Sequence, residues 1–425
     1  MNILIIGAGG REHALGWKIH QSSPTDIIYF APGNGGTSEV GKNIDIAVDD
    51  IPTLLQFAQE NHIHLTVVGP EAPLSLGIVD EFNKCRLAIF GPTKDAARLE
   101  TSKAWATTFM KRHHIPHPKS YIATNSKKAH ERINTLTWKQ FVVKADGLAA
   151  GKGVFICKSK KEAHNAIDVI MENKAFNSAG NVVVIQEMLE GYEVSIIACA
   201  DGTRAVPFLP TQDHKRAYNG NKGPNTGGMG AYCPVPFVSP SLMKQINTTI
   251  LQPTIQGMKE DGHEYKGVLY PGLMITQDGP KVLEYNVRFG DPETQPQMMM
   301  LNSSLIEIIT SCVDGCLSPE LITFKNKSAL CITLASKGYP TSYKKGEVIH
   351  GLSSHLNNNI HVFHAGTSSK NGKMVTTGGR VLSITAIGET LKEAHQSAYQ
   401  TIGNHGIWFK GMEYRTDIAK QALSP

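Results

Sequence analysis

Over the first hundred residues, short apolar runs rich in β-branched residues alternate with stretches whose apolar positions recur at helical spacing: NILIIGAGG, REHALGWKIH, DIIYFAPGN, PTLLQFAQENH, LTVVGPEAP and LAIFGPT. Strand, helix and strand at this spacing predict an α/β fold, a parallel sheet with helices on its faces. Such sheets bind ligands beyond the carboxyl ends of their strands. Three polar, glycine-bearing loops fall there: GAGGRE, APGNGG and VGPEAP.

One helix is predicted next, over KDAARLETSKAWATTFMKRHH, and IPHP ends it because two prolines enforce extended chain. QFVVKADGLAAGKGVFICK then reads as strand, glycine-rich turn and strand, and a helical stretch leads to VVVIQEML. This predicts a small α+β unit over about 120 to 190. Beyond it come the β-rich YEVSIIAC, a polar glycine-rich loop TQDHKRAYNGNKGPNTGGMGAY, a helix near 239 to 260 and the strands GVLYPGLMIT and KVLEYNV. A structureless loop of some 22 residues is expected to be functional or disordered. A mixed region with strand-like SALCITLAS and VLSITAI closes the chain.

The 425 residues exceed one ordinary core and fit two to four units. Apolar residues at 41% and charged ones at 19% exclude a disordered chain. The net charge of +5 comes from scattered Lys and Arg, which suits small anionic ligands better than a nucleic-acid track and fits a solvated surface equally well. Seven cysteines in mostly apolar surroundings, without a Cys-x-x-Cys pair, read as reduced core thiols. The N-terminus turns to glycine too early for a signal peptide, and no window approaches about 18 apolar residues. A cytoplasmic location with no membrane contact is therefore expected.

GAGGREHAL invites comparison with a dinucleotide-binding fingerprint and fails twice. Glu12 stands where the third glycine belongs, and the second strand ends without the ribose-binding acid. What remains is a strand-to-helix turn that either holds an anion, with Arg11 beside it, or is simply tight. KADGLAAGKGV, residues 144–154, places small residues and two lysines between strands. That composition fits a cover over nucleotide phosphates, although the helix and Ser/Thr of a Walker loop are absent. VIQEMLEGYEVS puts Glu187, Leu189 and Glu193 just after a buried strand, where they either form a solvated connecting segment or offer backbone groups to an adenine edge. In VLEYNVRFGD, strand alternation sets Glu284, Asn286 and Arg288 on one face and Leu283, Tyr285 and Val287 on the other. Oxygen donors two residues apart suit Mg²⁺ shared with substrate phosphates, and the arginine suits a transferring phosphoryl group.

VRFGDPETQ, TQDHKRAYNGNKGPNTGGMGAY, GGREHAL and GGRVLSITAIG together resemble the phosphoribosylamine–glycine ligase family of ATP-grasp enzymes, in the same order and without a large insertion. The resemblance implies an N-terminal α/β domain (1–103), a central ATP-grasp domain (104–120 and 191–327), a lid (121–190) and a C-terminal domain (328–425). It implies that ATP, glycine and 5-phosphoribosylamine give glycinamide ribonucleotide, ADP and phosphate through glycyl phosphate. Lys103, Lys144 and the 147–154 loop, with Gly147, Gly151, Lys152 and Gly153, would hold phosphates. Glu187, Leu189 and Glu193 would meet adenosine, while Glu284 and Asn286 would bind Mg²⁺ or Mn²⁺. Gly10, Arg11, Asn34 and Glu71 would line the phosphoribosylamine side, and Asp213, Lys215 and Arg288 would sit nearer glycine and the transferring phosphate. Two departures stand out: LETSKA lacks a glycine before its serine, and VLYPGLMI lacks the further metal-binding carboxylate of many ATP-grasp enzymes.

The expected partners are the small molecules alone. The chain would act as a monomer that meets the preceding pathway enzyme at most transiently. Two other readings fit parts of the pattern: a biotin-dependent carboxylase subunit, and a nucleotide sensor without turnover.

Overall fold

The computed structural model describes residues 1–148, 153–352 and 357–423. The N-terminal sheet is parallel throughout, in the order Lys42–Asn43, Ile27–Pro32, Asn2–Gly7, Leu65–Val68, Ile89–Phe90. Its central strand is wholly apolar from Ile3 to Ile6 and fully buried, as a strand covered on both faces must be. The three predicted loops leave the carboxyl ends of the strands at Gly7, Pro32 and Val68. Among the described residues no helix is long and apolar enough to cross a membrane.

A second, antiparallel sheet runs Ser120–Ala123, Val183–Glu187, Phe141–Ala145, Val154–Cys157. Helices Ser126–Thr135 and Lys160–Ile167 cover it and close a separate apolar core around Phe141, Val143, Ile167 and Ile185. A third sheet pairs Tyr192–Ser195 and Ala198–Asp201 with the long strand Lys266–Thr276, on which Gly279–Asn286 folds back.

Two expectations change. The single helix over 94–114 is two, Arg98–Thr101 and Lys103–Arg112, broken at Ser102. Ser102 has extended backbone, and its hydroxyl accepts the Trp105 N–H at 3.1 Å, so a new helix starts there. The second change concerns the polar stretch 211–232, which is not a structureless loop. It contains Gln212–Asp213, the hairpin Arg216–Tyr218 with Lys222–Asn225, and the start of Gly230–Cys233. Polar hairpin turns built on Asn and Gly read as loop in sequence because they lack an apolar face. Gly230–Cys233 pairs along its whole length with Ser328–Ser336, which also pairs with Arg380–Gly388. Buried Arg415 anchors the hairpin, donating to the Arg216 carbonyl and to Asn221 Oδ1.

The first helix, Gly10–Ser22, packs against the strand Ile360–His364. His13 is fully buried at this seam, and its Nδ1 accepts the His364 N–H at 2.9 Å. Its ring lies 5.8 Å from that of His361 and 5.7 Å from that of His364. Burial, and then the neighbouring imidazoles, hold His13 well below the usual histidine range. Burial takes His361 and His364 down to about 4. The folded protein therefore keeps these rings neutral where an unfolded chain, with histidines near 6.5, takes up protons. Their contribution is complete above about pH 6.5 and is lost as pH falls toward 4. Denaturant unfolding at a series of pH values should give stability that declines below pH 6.5. In His13→Gln, whose side chain does not titrate, the slope between pH 6 and 4.5 should fall by up to one proton, about 1.4 kcal/mol per pH unit. An unchanged slope would mean that His13 does not titrate on unfolding.

Candidate active site

The strand Gly279–Asn286 carries the densest chemistry. A β-bulge interrupts its pairing, so that Gly272 faces Glu284 and Leu273 faces Val282. Leu283 is therefore not part of a buried face but sits half-exposed at the bulge. From Glu284 onward alternation holds: Glu284, Asn286 and Arg288 are accessible, whereas Tyr285 and Val287 are buried. The bulge leaves the Leu283 carbonyl to accept a hydrogen bond from Lys144 Nζ at 2.9 Å.

Lys144, on Phe141–Ala145 and buried, thereby reaches this strand from the second sheet. Burial brings its ammonium down to about 8, with Glu284 opposing. Lys215 Nζ stands 3.7 Å from Glu284 Oε1 and 3.7 Å from Glu193 Oε2. Burial alone would raise Glu284, yet Lys215, Lys144, Lys103 and Arg288 outweigh it and bring the carboxyl down to about 2. Asp213 behaves in the opposite way: burial pushes it up to about 7 despite Lys215. Asp213 in turn holds Lys215 well above the usual lysine range.

Lys103 opens its helix and donates to the Gly147 carbonyl at 3.0 Å. Beside it, Asp146 accepts from the Ala104 N–H at 2.9 Å and from the Ser102 hydroxyl at 3.1 Å. This staple joins the break after Thr101 to the glycine turn of 144–154. Gly147 has φ +139°, outside the range of other residues, and the Gly153 carbonyl accepts the Ala145 N–H. Gly151 and Lys152 lie outside the described residues.

Arg288 is held between two carboxylates, its Nε 3.3 Å from Glu71 Oε2 and its Nη2 3.2 Å from Glu100 Oε1. Glu100 also accepts the Val287 N–H at 2.8 Å. Arg11 is buried and committed to Glu12 and the Phe289 carbonyl. The Asn34 amide donates to the Ala8 and His364 carbonyls at 2.9 and 2.8 Å and accepts from the Gly36 N–H. Gly10 opens the first helix with the Gln295 amide packed where a side chain would be. Arg11 and Asn34 therefore build the walls of the site, and Glu71 positions Arg288. On the other side, Glu187 Oε1 accepts the Lys119 N–H, Leu189 is half-buried, and Glu193 is exposed near Lys215.

Several contributors were not assigned from the sequence, although each stands in a stretch singled out there. Asp146 lies in KADGLAAGKGV, Glu100 in LETSKA, and Asp291 and Glu293 in VRFGDPETQ. Glu293 is buried, and its Oε1 accepts from the Tyr270 hydroxyl at 2.5 Å and from the Ser195 hydroxyl at 3.2 Å. What hid them is that their partners come from distant segments.

Glu284 offers a carboxylate that is ionised at neutral pH, and Asn286 offers an amide with no hydrogen-bond partner among the described residues. Among the described residues no cluster of three or more acidic, histidine or cysteine groups could hold a metal unaided. Two oxygen donors fit a hard divalent ion that completes its shell with water and phosphate.

Models of the three phosphoribosylglycinamide synthetase domains match the chain: the N domain over residues 1–100, the ATP-grasp (A) domain over 101–294 and the C domain over 329–421. A phosphoribosylamine–glycine ligase of Yersinia pestis is 47% identical, covering 100% of this chain and 99% of that protein. The trifunctional purine biosynthetic protein adenosine-3 of Homo sapiens is 48% identical over 99% of this chain, which spans only 42% of that longer protein. The crystal structure of phosphoribosylamine–glycine ligase from Thermotoga maritima matches with a TM-score of 0.87 at 35% identity, covering 99% of this chain and 100% of that one. The chain belongs to the phosphoribosylglycinamide synthetase family.

Proposed function

We propose that the protein is an ADP-forming ATP-grasp ligase of de novo purine biosynthesis that joins glycine to 5-phosphoribosylamine in the cytoplasm, giving glycinamide ribonucleotide. The observation that carries this reading, given the family, is the convergence of lysines from separate segments on Glu284, with Lys144 bonded to Leu283 and Lys215 at 3.7 Å. Adenosine binding alone needs no such arrangement, which speaks against a sensor.

A glycine carboxylate resists attack by an amine because an oxide would have to leave, so it must first be activated. Phosphoryl transfer asks mainly for positioning and for charge stabilisation. Lys103, Lys144 and the backbone of the 144–154 turn hold the nucleotide's phosphates, while Lys215 and Arg288 meet the γ-phosphoryl group as it passes to a glycine carboxylate oxygen. Mg²⁺ or Mn²⁺, held by Glu284 and Asn286, would neutralise phosphate charge when bound. Glu71 and Glu100 keep the Arg288 guanidinium in place throughout. The amine then displaces phosphate from glycyl phosphate, and Asp213, pushed up to about 7, exchanges a proton near neutral pH through its carboxyl oxygens. Backbone groups of Glu187–Leu189 would meet the adenine edge and Glu193 the ribose.

Phosphate release that requires both glycine and freshly made phosphoribosylamine is the first test. Bicarbonate-dependent release would favour a carboxylase, and tight ATP binding without release would favour the sensor. Glycine labelled with ¹⁸O in its carboxylate should deliver one labelled oxygen to phosphate per turnover; unlabelled phosphate would overturn the acyl-phosphate path.

Glu284→Gln should fold normally and lose at least about 100-fold in turnover, roughly 3 kcal/mol of transition-state stabilisation. Near-normal turnover at saturating Mg²⁺ would remove Glu284 from the metal site. Asp146→Asn weakens charge-assisted hydrogen bonds that link the phosphate-covering turn to the Lys103 helix. It should raise KM for ATP about tenfold and leave KM for glycine unchanged; equal effects on both would count against the staple.

A further inference from the structure

The stretch that carries Asp213 and Lys215 is gripped from behind by residues 415–419. Between those two side chains His214 turns the other way: it is buried, and its Nε2 accepts the Ala419 N–H at 3.3 Å. Up to Lys215 the backbone is fixed by its neighbour in the sheet. The His214 N–H donates to the Gly230 carbonyl and the His214 carbonyl accepts the Met229 N–H, each at 2.9 Å. The Lys215 carbonyl accepts the Thr226 N–H at 2.7 Å and the Thr226 hydroxyl at 2.9 Å. Beyond Lys215 a single side chain takes over. Arg415 Nη1 donates to the Arg216 carbonyl at 3.2 Å and, across the hairpin turn, to Asn221 Oδ1 at 2.9 Å.

Arg415 is only 2% exposed, which a guanidinium tolerates only when it is paired and hydrogen-bonded. Asp417 supplies the pair as a fork, with Nε to Oδ1 at 2.7 Å and Nη2 to Oδ2 at 2.9 Å. Asp417 Oδ2 also accepts the Gly220 N–H at 2.7 Å. Thr416 meets Asn219 twice, its N–H donating to Oδ1 at 3.0 Å and its hydroxyl accepting from the amide at 2.7 Å. Three consecutive residues, 415 to 417, thus bond to the hairpin. They are anchored in turn by Tyr399, whose hydroxyl donates to the Arg415 carbonyl at 2.7 Å and accepts the Ile418 N–H at 3.2 Å. A buried ion pair is often no better for stability than apolar packing of the same volume, so what this one adds is a fixed geometry.

We infer that Arg415 is a positioning residue for phosphoryl transfer: through the Arg216 carbonyl and the hairpin turn it sets where Lys215 stands against Glu284 and Glu193. The inference rests on the ligase reading for the reaction that Lys215 serves. The Lys215 side chain is long and 39% exposed, and its Nζ lies 3.7 Å from each carboxylate, beyond a tight hydrogen bond. Its place is therefore set by its backbone. A displacement of about 1 Å in a reacting geometry costs on the order of 100-fold in rate. Lys103 and Lys144 come from other elements and do not depend on Arg415.

The alternative is that Arg415 only holds the fold together. A double-mutant cycle with Lys215 separates the two, because a loss that acts through Lys215 disappears once Lys215 is gone, whereas a general loss of structure does not. Arg415→Lys keeps the charge but cannot hold Asp417, Asn221 and the Arg216 carbonyl at once. In the full chain, shown to be folded by circular dichroism, it should lower kcat about thirtyfold, about 2 kcal/mol at 1.4 kcal/mol per tenfold, with KM for ATP within about twofold of wild type. In a Lys215→Met background the same change should cost no more than about threefold. An equal loss in both backgrounds, a kcat near wild type in folded Arg415→Lys, or a Lys215→Met protein as active as wild type would each refute the inference. Should Arg415→Lys fail to fold, Asn221→Gly decides alone. Asn221 is exposed with φ +54°, so glycine keeps the turn and removes only the acceptor. A loss of about fivefold that vanishes without Lys215 would support the positioning role, and unchanged turnover would refute it. Failure of the ligase reading would appear elsewhere, as absence of glycine-dependent phosphate release by the wild-type protein.

Discussion

Like charges have to be held together before any substrate arrives, and Glu284 is the group that holds them. Lys144 and Lys215 approach it from the second sheet and from the 211–232 segment, with Lys103 contributing from its helix. Without that carboxylate they would repel one another in a partly buried space. Glu284 can stand there because a bulge re-aims the strand and frees the Leu283 carbonyl for Lys144. One irregularity in one strand thus fixes both an anion and one of its counter-cations.

The same logic is repeated with opposite sign around Arg288, where Glu71 and Glu100 hold a cation. Both carboxylates belong to the first hundred residues, while the arginine follows the third sheet. The two clusters are therefore also the points at which separate sheets are registered against one another.

Much of this was legible in the sequence because it depends on local periodicity. The parallel sheet follows from apolar runs such as Ile3–Ile6 alternating with helical stretches, and the accessible face of Glu284, Asn286 and Arg288 follows from strand alternation. What depends on distant partners was not. Arg11 and Asn34 carry the polarity expected of ligand-binding groups, but nothing in their surroundings in sequence announces that they also bond to Phe289 and His364, more than 270 positions away. Ser102 looked like an interior helix residue because nothing nearby announces that Asp146 will take the Ala104 N–H. The 211–232 stretch looked unstructured because its hairpin strands are polar and short, and because Gly230–Cys233 pairs with a strand that begins only at Ser328.

That last pairing has a consequence for how the molecule is made. Asp213 and Lys215 sit beside a strand, Gly230–Cys233, whose neighbour Ser328–Ser336 is itself sandwiched by Arg380–Gly388. During synthesis the earlier strand emerges roughly a hundred residues before its neighbour, with its edge amides and carbonyls unsatisfied in the interval. Long-range antiparallel pairing of this kind is slow, because a large loop must close before any contact rewards it. The candidate site is thus completed late in folding, by the C-terminal strands, even though the segments that carry Lys103 and Lys144 have already left the ribosome.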